Sequence, residues 1–195
     1  MAYDLDPIQN HCYPGTTVLV NKYGIRQQKQ LDEVEALVVS TQTIEFELSP
    51  FPEPLSFDYY KRLHAFLFDQ LYDWAGIIRD VDLSKQHTRF CPAKEIVSLA
   101  DRVFSRAAEM NYFQGLNRQP FIQEAADFYT SINCLHPFRE GNGRTQRVFF
   151  RELARRAGYT LDYSAVDPDI LMLATIHAAS GVQDTLLQVF DEMIQ

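Results

Sequence analysis

The sequence predicts a mainly α-helical protein with one short β-hairpin. Three observations predict this class: apolar residues recur at helical spacing over long stretches, proline and glycine lie between those stretches, and one segment near residues 77–90 instead favours strand. Hydrophobic residues make up 46% of the 195 residues, which suffices for one buried core without a disulfide or metal to hold it.

The N-terminal residues 1–24 carry turn-forming Asp-Pro and Pro-Gly pairs and no long apolar run. We therefore expect an extended N-terminal arm, followed by a single helical domain over residues 25–195. The first helix of that domain is predicted from apolar residues at helical spacing, namely Leu31, Val34, Leu37 and Val38.

A second helix is predicted after the proline-rich segment 49–54, because proline lacks an amide donor and restricts the residue before it. Ser56 is a favourable N-cap, and the apolar spacing extends this helix to Trp74, after which Gly76 ends it. The segment that follows favours strand and predicts a β-hairpin near residues 81–90.

The rest of the chain is predicted to be helical. Neither an internal repeat nor a low-complexity tract is present. Apolar spacing and helix-boundary residues predict a helix over about 93–111, one from Pro120 to Leu135, one from Gly143 or Arg144 to Gly158, and one or two short helices after Asp167 and Pro168.

The charge balance argues against one class of function. Lys and Arg total 18 against 26 Asp and Glu, which gives a formal net charge of −8. Because nonspecific binding to duplex DNA needs an excess of clustered cations, we expect no direct nucleic-acid partner. A local basic pocket for a small anion is compatible with this overall charge.

The cysteines, the N-terminus and the hydropathy together predict a reduced, cytoplasmic protein. Cys12, Cys91 and Cys134 form no CxxC pair, which argues against a disulfide framework and a structural zinc site. Residues 1–10 lack the apolar run of a secretory signal, and no stretch reaches the roughly 18 apolar residues that span a bilayer. We therefore expect no membrane partner.

One segment, residues 136–147, concentrates chemically active residues around a glycine run. Pro137 disfavours the α conformation at His136, so the preceding helix should end there and place the imidazole at its C-terminal end. The run 141–143 would turn sharply and place backbone amides at the start of the next helix. Amides and the positive end of the helix dipole attract an anion there.

The polar side chains of this segment suit a polyphosphate and a divalent cation. Arg144 and Arg147 lie three residues apart and would face one side of the helix, where two guanidinium groups grip phosphate oxygens. Glu140 supplies a hard oxygen ligand for a Mg²⁺ that bridges phosphates. The imidazole of His136, with an ordinary pKa of about 6.5, is suited to take a proton from an attacking hydroxyl.

Two structural alternatives stay open on the residues alone. His136 and Glu140 are four residues apart, as in a helical metal pair, although Pro137 and the glycines disfavour a continuous helix there. The glycine run could also be a plain helix–helix turn, which would leave the polar residues packed around it unexplained.

The segment resembles the signature of the Fic family, HxFx(D/E)GNGRxxR. All eight specified positions match, at His136, Phe138, Glu140, Gly141, Asn142, Gly143, Arg144 and Arg147. The similarity extends over most of the chain, including Tyr-Pro-Gly-Thr at 13–16 and Trp-Ala-Gly at 74–76. It implies a Fic-type helical bundle with a β-hairpin flap next to the active site, and a buried Phe138 that anchors the loop.

Fic proteins mostly transfer AMP from ATP to a hydroxyl of a target protein, so the resemblance implies a protein adenylyltransferase that uses ATP and Mg²⁺. By position, His136 is the general base for a Tyr, Ser or Thr hydroxyl, and Glu140 holds Mg²⁺. The phosphates would contact Gly141, Asn142, Gly143, Arg144 and Arg147. The flap would bind the target by strand addition through Lys85, His87 and Phe90; for Lys85 and His87 an ordinary solvated turn is the alternative.

The resemblance also implies an inhibitory partner. Many family members carry an inhibitory pattern (S/T)xxxE(G/N), which ends in Gly or Asn. This sequence has a Ser or Thr four residues before a Glu at four places. The residue after the Glu is never Gly or Asn there, but Phe46, Leu48, Pro54 or Met110. The sequence therefore predicts the toxin of a toxin–antitoxin pair. Its small antitoxin would act in trans through a glutamate that pairs with Arg147.

Stand-alone members that resemble this chain modify a tyrosine of type II topoisomerase subunits. DNA gyrase or topoisomerase IV is therefore the expected target. Two alternatives to AMP transfer are kinase-like phosphotransfer at the same site and a non-enzymatic nucleotide-binding module.

Overall fold

The computed structural model describes residues 11–85 and 88–195, so His87 of the predicted flap lies outside the described residues. Seven α-helices lie within these ranges, which confirms the mainly α prediction. None of the helices described is long and apolar enough to cross a membrane. They are α1 (Gln28–Leu48), α2 (Phe57–Phe68), α3 (Ile96–Glu109), α4 (Arg118–Leu135), α5 (Asn142–Ala157), α6 (Pro168–Ala179) and α7 (Asp184–Met193).

A two-stranded antiparallel hairpin lies between α2 and α3. Its strands are β1 (Ser84–Lys85) and β2 (Thr88–Arg89), and Lys85 pairs with Thr88. The hairpin falls inside the predicted segment 81–90 and is shorter than that segment. Three connections contain short 3₁₀ turns, at Ala93–Glu95, Asn111–Phe113 and Tyr163–Ala165.

The helix α2 is shorter than its apolar spacing predicts. The N-cap Ser56 is confirmed, because its hydroxyl accepts a backbone amide at 3.0 Å. The prediction of a helix through Trp74 was wrong, since the helix ends at Phe68. Beyond this end the carbonyl of Leu71 accepts the amide of Lys22, from the N-terminal arm, at 2.8 Å. A tertiary hydrogen bond thus takes the place of a helical one.

The buried face of α1 is not made of the apolar residues that predict the helix. Leu37 is one of those residues and is 70% exposed. Two polar residues belong to the inward face instead, and hydropathy alone would assign them to solvent. That face carries Leu31, Glu35, Val39, Gln42 and Phe46.

The core between α2, α4 and α5 is rich in aromatic rings. Tyr60 of α2 stacks on Phe138 with ring centroids 5.5 Å apart and packs edge-on against Phe149 at 5.2 Å. All three rings are fully buried. Because Phe138 belongs to the segment 136–147, this cluster anchors that segment in the core, as the resemblance implies.

The N-terminal residues that the structure describes pack against this core. Val18 and Leu19 are buried, and Leu19 forms an antiparallel bridge with Cys12. The expected division into an arm over 1–24 and a domain over 25–195 stays a prediction.

Candidate active site

His136 lies at the C-terminal end of α4. The helix ends at Leu135, and His136 takes a left-handed conformation with φ 43° and ψ 59°. This region is unfavourable for a residue with a Cβ, so neighbouring contacts must hold the turn. The guanidinium of Arg79 does so, because it donates to the carbonyls of His136 at 2.8 Å and Leu135 at 3.3 Å. The predicted helix end at His136 is confirmed.

Arg79 connects this turn to the base of the hairpin. Its guanidinium also donates to the carbonyls of Val81 and Cys91, which flank the two strands. Its backbone amide donates to the carbonyl of Pro137 at 2.9 Å. The buried guanidinium therefore fixes the position of the flap relative to His136.

The imidazole of His136 is stacked beneath Phe90 of the flap, with ring centroids 3.7 Å apart and planes at 14°. Its Nδ1 lies 3.3 Å from the carbonyl of Asn133, so Nδ1 carries the proton and Nε2 is the atom that accepts one. Burial, together with the charges of Arg79 and Lys85, lowers the pKa of His136 to about 3. The ring is therefore neutral at pH 7.

The glycine run forms the N-terminus of α5. Gly141 has φ +80°, and a Cβ at this position would lie 2.4 Å from the ring of Phe68, so the turn requires glycine. The first amides of the helix, at residues 142–144, donate to no acceptor within the described ranges. Such amides, at the positive end of the helix dipole, are suited to bind an anion.

Asn142 shapes this turn with its side chain. Its Oδ1 accepts the amide of Phe138 at 2.9 Å, and its Nδ2 donates to the carbonyl of Phe138 at 2.7 Å. The side chain is buried in the loop. Any contact of Asn142 with a phosphate would therefore be made by its backbone amide.

His64 of α2 holds the backbone of Glu140. Its Nδ1 accepts the amide of Gly76 at 2.8 Å, so Nε2 carries the proton and donates to the carbonyl of Glu140 at 3.0 Å. The ring is fully buried between Phe138 and Phe68, with centroid distances of 3.8 and 4.7 Å. Burial lowers the pKa of His64 to about 3, which keeps this tautomer neutral.

The two arginines of the segment have different surroundings. The Nη2 atom of Arg144 forms ion pairs with Glu35 of α1 and, at 3.5 Å, with Glu140. Glu140 Oε1 also accepts the amide of Gly141 at 2.8 Å. Arg147 is exposed, and it forms no ion pair with any residue that the structure describes.

These groups face one cavity of about 650 Å³, a volume suited to a nucleotide-sized ligand. Flap residues Lys85 and Phe90 line it as well, so every described residue of the predicted site lines the cavity except Asn142. Part of the lining is polar, from His136, Glu140, Gly141, Gly143, Arg144 and Arg147. Another part is apolar, from Val166, Leu171, Met172 and Ile176.

One carboxylate of this cavity fits a magnesium ion. Within the residues described, no group of three or more metal-ligating side chains comes together. Mg²⁺ normally binds through one or two protein carboxylates and completes its shell with phosphate oxygens and water. Glu140, at the N-terminus of α5, meets that requirement.

The two buried histidines make the stability depend on pH. The pKa values of His64 and His136 are lowered to about 3, against about 6.5 in an unfolded chain. Between these values the unfolded state binds more protons, so the free energy of unfolding falls as the pH falls through this window. Each histidine is expected to contribute a slope of about 1.4 kcal/mol per pH unit there.

Urea unfolding at pH values of about 7, 6 and 5 measures this slope. We expect His136→Ala to lower the pH dependence of the free energy of unfolding by the contribution of one histidine, about 1.4 kcal/mol per pH unit. His177→Gln, at an exposed histidine of α6, provides the control for replacing a histidine that is not buried. Equal slopes in the unmodified protein and the His136→Ala variant would contradict this assignment.

Comparison with known proteins places the chain in a family. Residues 54–154 match the Fic/DOC family. The chain is 39% identical over 178 residues to the probable protein adenylyltransferase y4lH of Sinorhizobium fredii, covering 90% of this chain and 89% of the relative. It is 31% identical over 184 residues to the probable protein adenylyltransferase Fic of Escherichia coli, covering 94% of this chain and 91% of that relative.

The fold is also that of solved Fic domains. The BepC protein of Bartonella tribocorum, crystallised with bound AMPPNP, superposes with a TM-score of 0.89 at 28% sequence identity, covering 96% of this chain and 97% of that one. The chain belongs to the Fic/DOC family. It is an enzyme of the nucleotidyltransferase class, like the relatives that carry the name protein adenylyltransferase.

Proposed function

We propose that the protein transfers AMP from ATP to a hydroxyl group of a target protein and releases pyrophosphate. The observation that carries the proposal is the shared cavity of a neutral histidine, a carboxylate and a glycine-rich helix N-terminus with two arginines. The names of the relatives and the AMPPNP bound to BepC support ATP as the substrate.

In this proposal the phosphates lie at the N-terminus of α5. Backbone amides of residues 142–144 donate to phosphate oxygens, and Arg144 and Arg147 bind the β- and γ-phosphates. Glu140 would hold a Mg²⁺, which supplies positive charge to the phosphates when it is bound. The adenine would lie against the apolar lining from α6.

His136 acts as the general base in the proposed reaction. Its Nε2 accepts the proton of the target hydroxyl while the hydroxyl oxygen attacks the α-phosphorus, and the bond from that phosphorus to the pyrophosphate oxygen breaks. A base with a pKa of about 3 is weak, so proton transfer should accompany the attack rather than precede it. Positioning and charge neutralisation then supply most of the catalysis.

The flap is proposed to hold the target. Phe90 covers the imidazole of His136, and Lys85 lines the same cavity, so both are placed to contact a segment that enters beside the base. His87 belongs to the same proposed contact set. The target backbone would add to the edge of the hairpin as a further strand.

The proposal extends to partners and location. We propose a toxin inhibited in trans by a small antitoxin in the cytoplasm, with DNA gyrase or topoisomerase IV as the target. Two observations support the antitoxin: the chain lacks the inhibitory pattern, and Arg147 has no ion pair among the described residues. A glutamate from a partner would find this arginine exposed at the cavity.

The position of the transferred label tests the reaction. The protein is incubated with a bacterial lysate and ATP labelled at either the α- or the γ-phosphate. We expect protein-bound label from α-labelled ATP alone, and none in the His136→Ala variant. Label from γ-labelled ATP alone would indicate phosphotransfer instead, and absence of label in both would favour a module that binds nucleotide without turnover.

A further inference from the structure

We propose that Glu35 of α1 is a positioning residue that orients Arg144 toward the phosphates of the bound nucleotide. This inference rests on the proposed function, because it requires a nucleotide at the N-terminus of α5. Glu35 lies outside the signature segment and outside the matched family range of residues 54–154. Its role is therefore assigned by the tertiary structure alone.

Both carboxylate oxygens of Glu35 are engaged. Oε1 pairs with Nη2 of Arg144, and Oε2 accepts a hydrogen bond from the hydroxyl of Tyr72. The side chain of Glu35 is only 11% exposed, so water screens the pair much less than it screens a surface ion pair. The carboxylate is thus held in one place by two different elements of the fold.

Tyr72 makes the position of this carboxylate rigid. Its ring is fully buried and stacks on Trp74 with centroids 4.4 Å apart and planes at 18°. Burial raises the pKa of Tyr72 and the adjacent charge of Glu35 raises it further, so the phenol remains a hydrogen-bond donor. Because the Tyr72 hydroxyl is held in place, it also holds Oε2 of Glu35, which accepts its hydrogen bond.

Arg144 lines the cavity, and its ion pairs use only part of its guanidinium. Its ion pairs with Glu35 and Glu140 both use Nη2, and its Cζ lies 4.9 Å above the ring of Phe68. Neither Nε nor Nη1 takes part in these pairs. The guanidinium is planar and rigid. Because Nη2 is held by the ion pairs and the plane by Phe68, the directions of the Nε and Nη1 donors are set as well. Glu35 therefore orients Arg144 without occupying those donors.

The placement of Glu35 is unexpected for a residue that serves stability alone. It sits in the inward face of α1 between Leu31 and Val39, where an apolar residue would pack without losing hydration. Replacing a buried ion pair by apolar residues is often neutral or stabilising. The ion pair with Arg144, which the carboxylate orients, explains why a carboxylate occupies this position.

Nucleotide binding by the Glu35→Gln variant tests the inference. Glutamine keeps the size of the side chain and removes its charge. Calorimetry should show AMPPNP binding about 10-fold weaker, as is typical when a supporting partner of a binding group is removed. Binding of AMP, which lacks the β- and γ-phosphates, should be unchanged. The matched control is Glu33→Gln, an exposed position on the same helix, which should alter neither.

Two further variants separate positioning from a general structural effect. In an Arg144→Ala background, Glu35→Gln should cause no additional loss of AMPPNP affinity, because Glu35 acts through that arginine. Tyr72→Phe removes only the hydroxyl and should weaken AMPPNP binding in the same direction by a smaller factor. Unfolding by urea verifies that each variant is folded.

Three outcomes would overturn the inference. Equal or tighter AMPPNP binding by Glu35→Gln would mean that the carboxylate is neutral or competes with phosphate. A parallel loss of AMP affinity would mean a general structural role. Failure of the unmodified protein to bind AMPPNP would instead refute the proposed function, and the inference would fall with it.

Discussion

Replacing His136 with alanine is expected to lower the rate of AMP transfer by about 10²–10⁴, the usual effect of removing a general base. The neutral imidazole offers Nε2 as a proton acceptor, because Nδ1 donates to the carbonyl of Asn133. No phosphate contact is assigned to this side chain. The loss should therefore appear in kcat, with the affinity for AMPPNP retained.

The control for this variant is His177→Ala, which removes an exposed histidine of α6. Transfer from α-labelled ATP to protein is measured for both variants at equal enzyme concentration. His177→Ala should retain the full rate. A His136→Ala variant that keeps a rate within a few-fold of the unmodified protein would contradict the assignment of the base.

Gly141→Ala is expected to destabilise the fold by about 2–5 kcal/mol and to abolish transfer. The left-handed conformation accounts for about 1–2 kcal/mol of this effect. The new methyl group would also lie 2.4 Å from the ring of Phe68, and relieving such a clash in a packed site adds about 1–3 kcal/mol. Urea unfolding measures the loss of stability directly.

Gly143→Ala provides a matched control two residues later. Gly143 lies in the first turn of α5, and the nearest atom to an added Cβ is Nη1 of Arg147 at 3.5 Å, an ordinary contact. Alanine is favoured over glycine in a helix by about 1 kcal/mol, so this variant should be at least as stable as the unmodified protein. Equal destabilisation by both substitutions would refute the account of the turn.

Features determined by local sequence were predicted well. The hydroxyl of Ser56 caps α2, and the residue before Pro137 ends α4, because both effects depend on neighbours in the chain. The signature segment 136–147 likewise contains its own turn-forming residues and the groups that are proposed to bind phosphate. A single stretch of sequence was therefore enough to locate one side of the cavity.

Features determined by distant contacts were not predicted. The end of α2 depends on an amide from Lys22, which lies far from it in the sequence. The inward orientation of Glu35 depends on Arg144 and Tyr72, so hydropathy assigns it to the wrong face of α1. An acidic residue flanked at helical spacing by Leu31 and Val39 was the one local sign of this arrangement.

The remaining walls of the site could not be predicted for the same reason. His64 reaches the carbonyl of Glu140 across 76 positions of sequence, and Arg79 reaches the carbonyl of His136 across 57. Most of the apolar lining comes from α6, where Met172 and Ile176 have the i, i+4 spacing of any core-facing helix. Only the tertiary fold reveals which of these residues face the cavity.

The most direct test of the account is a crystal structure of the protein soaked with AMPPNP and Mg²⁺. We expect phosphate oxygens within about 3 Å of the amides at the N-terminus of α5 and of the guanidinium of Arg144. The α-phosphorus should lie on the side of the cavity that holds His136. A nucleotide bound elsewhere, or phosphates that make no contact with residues 141–147, would contradict the account.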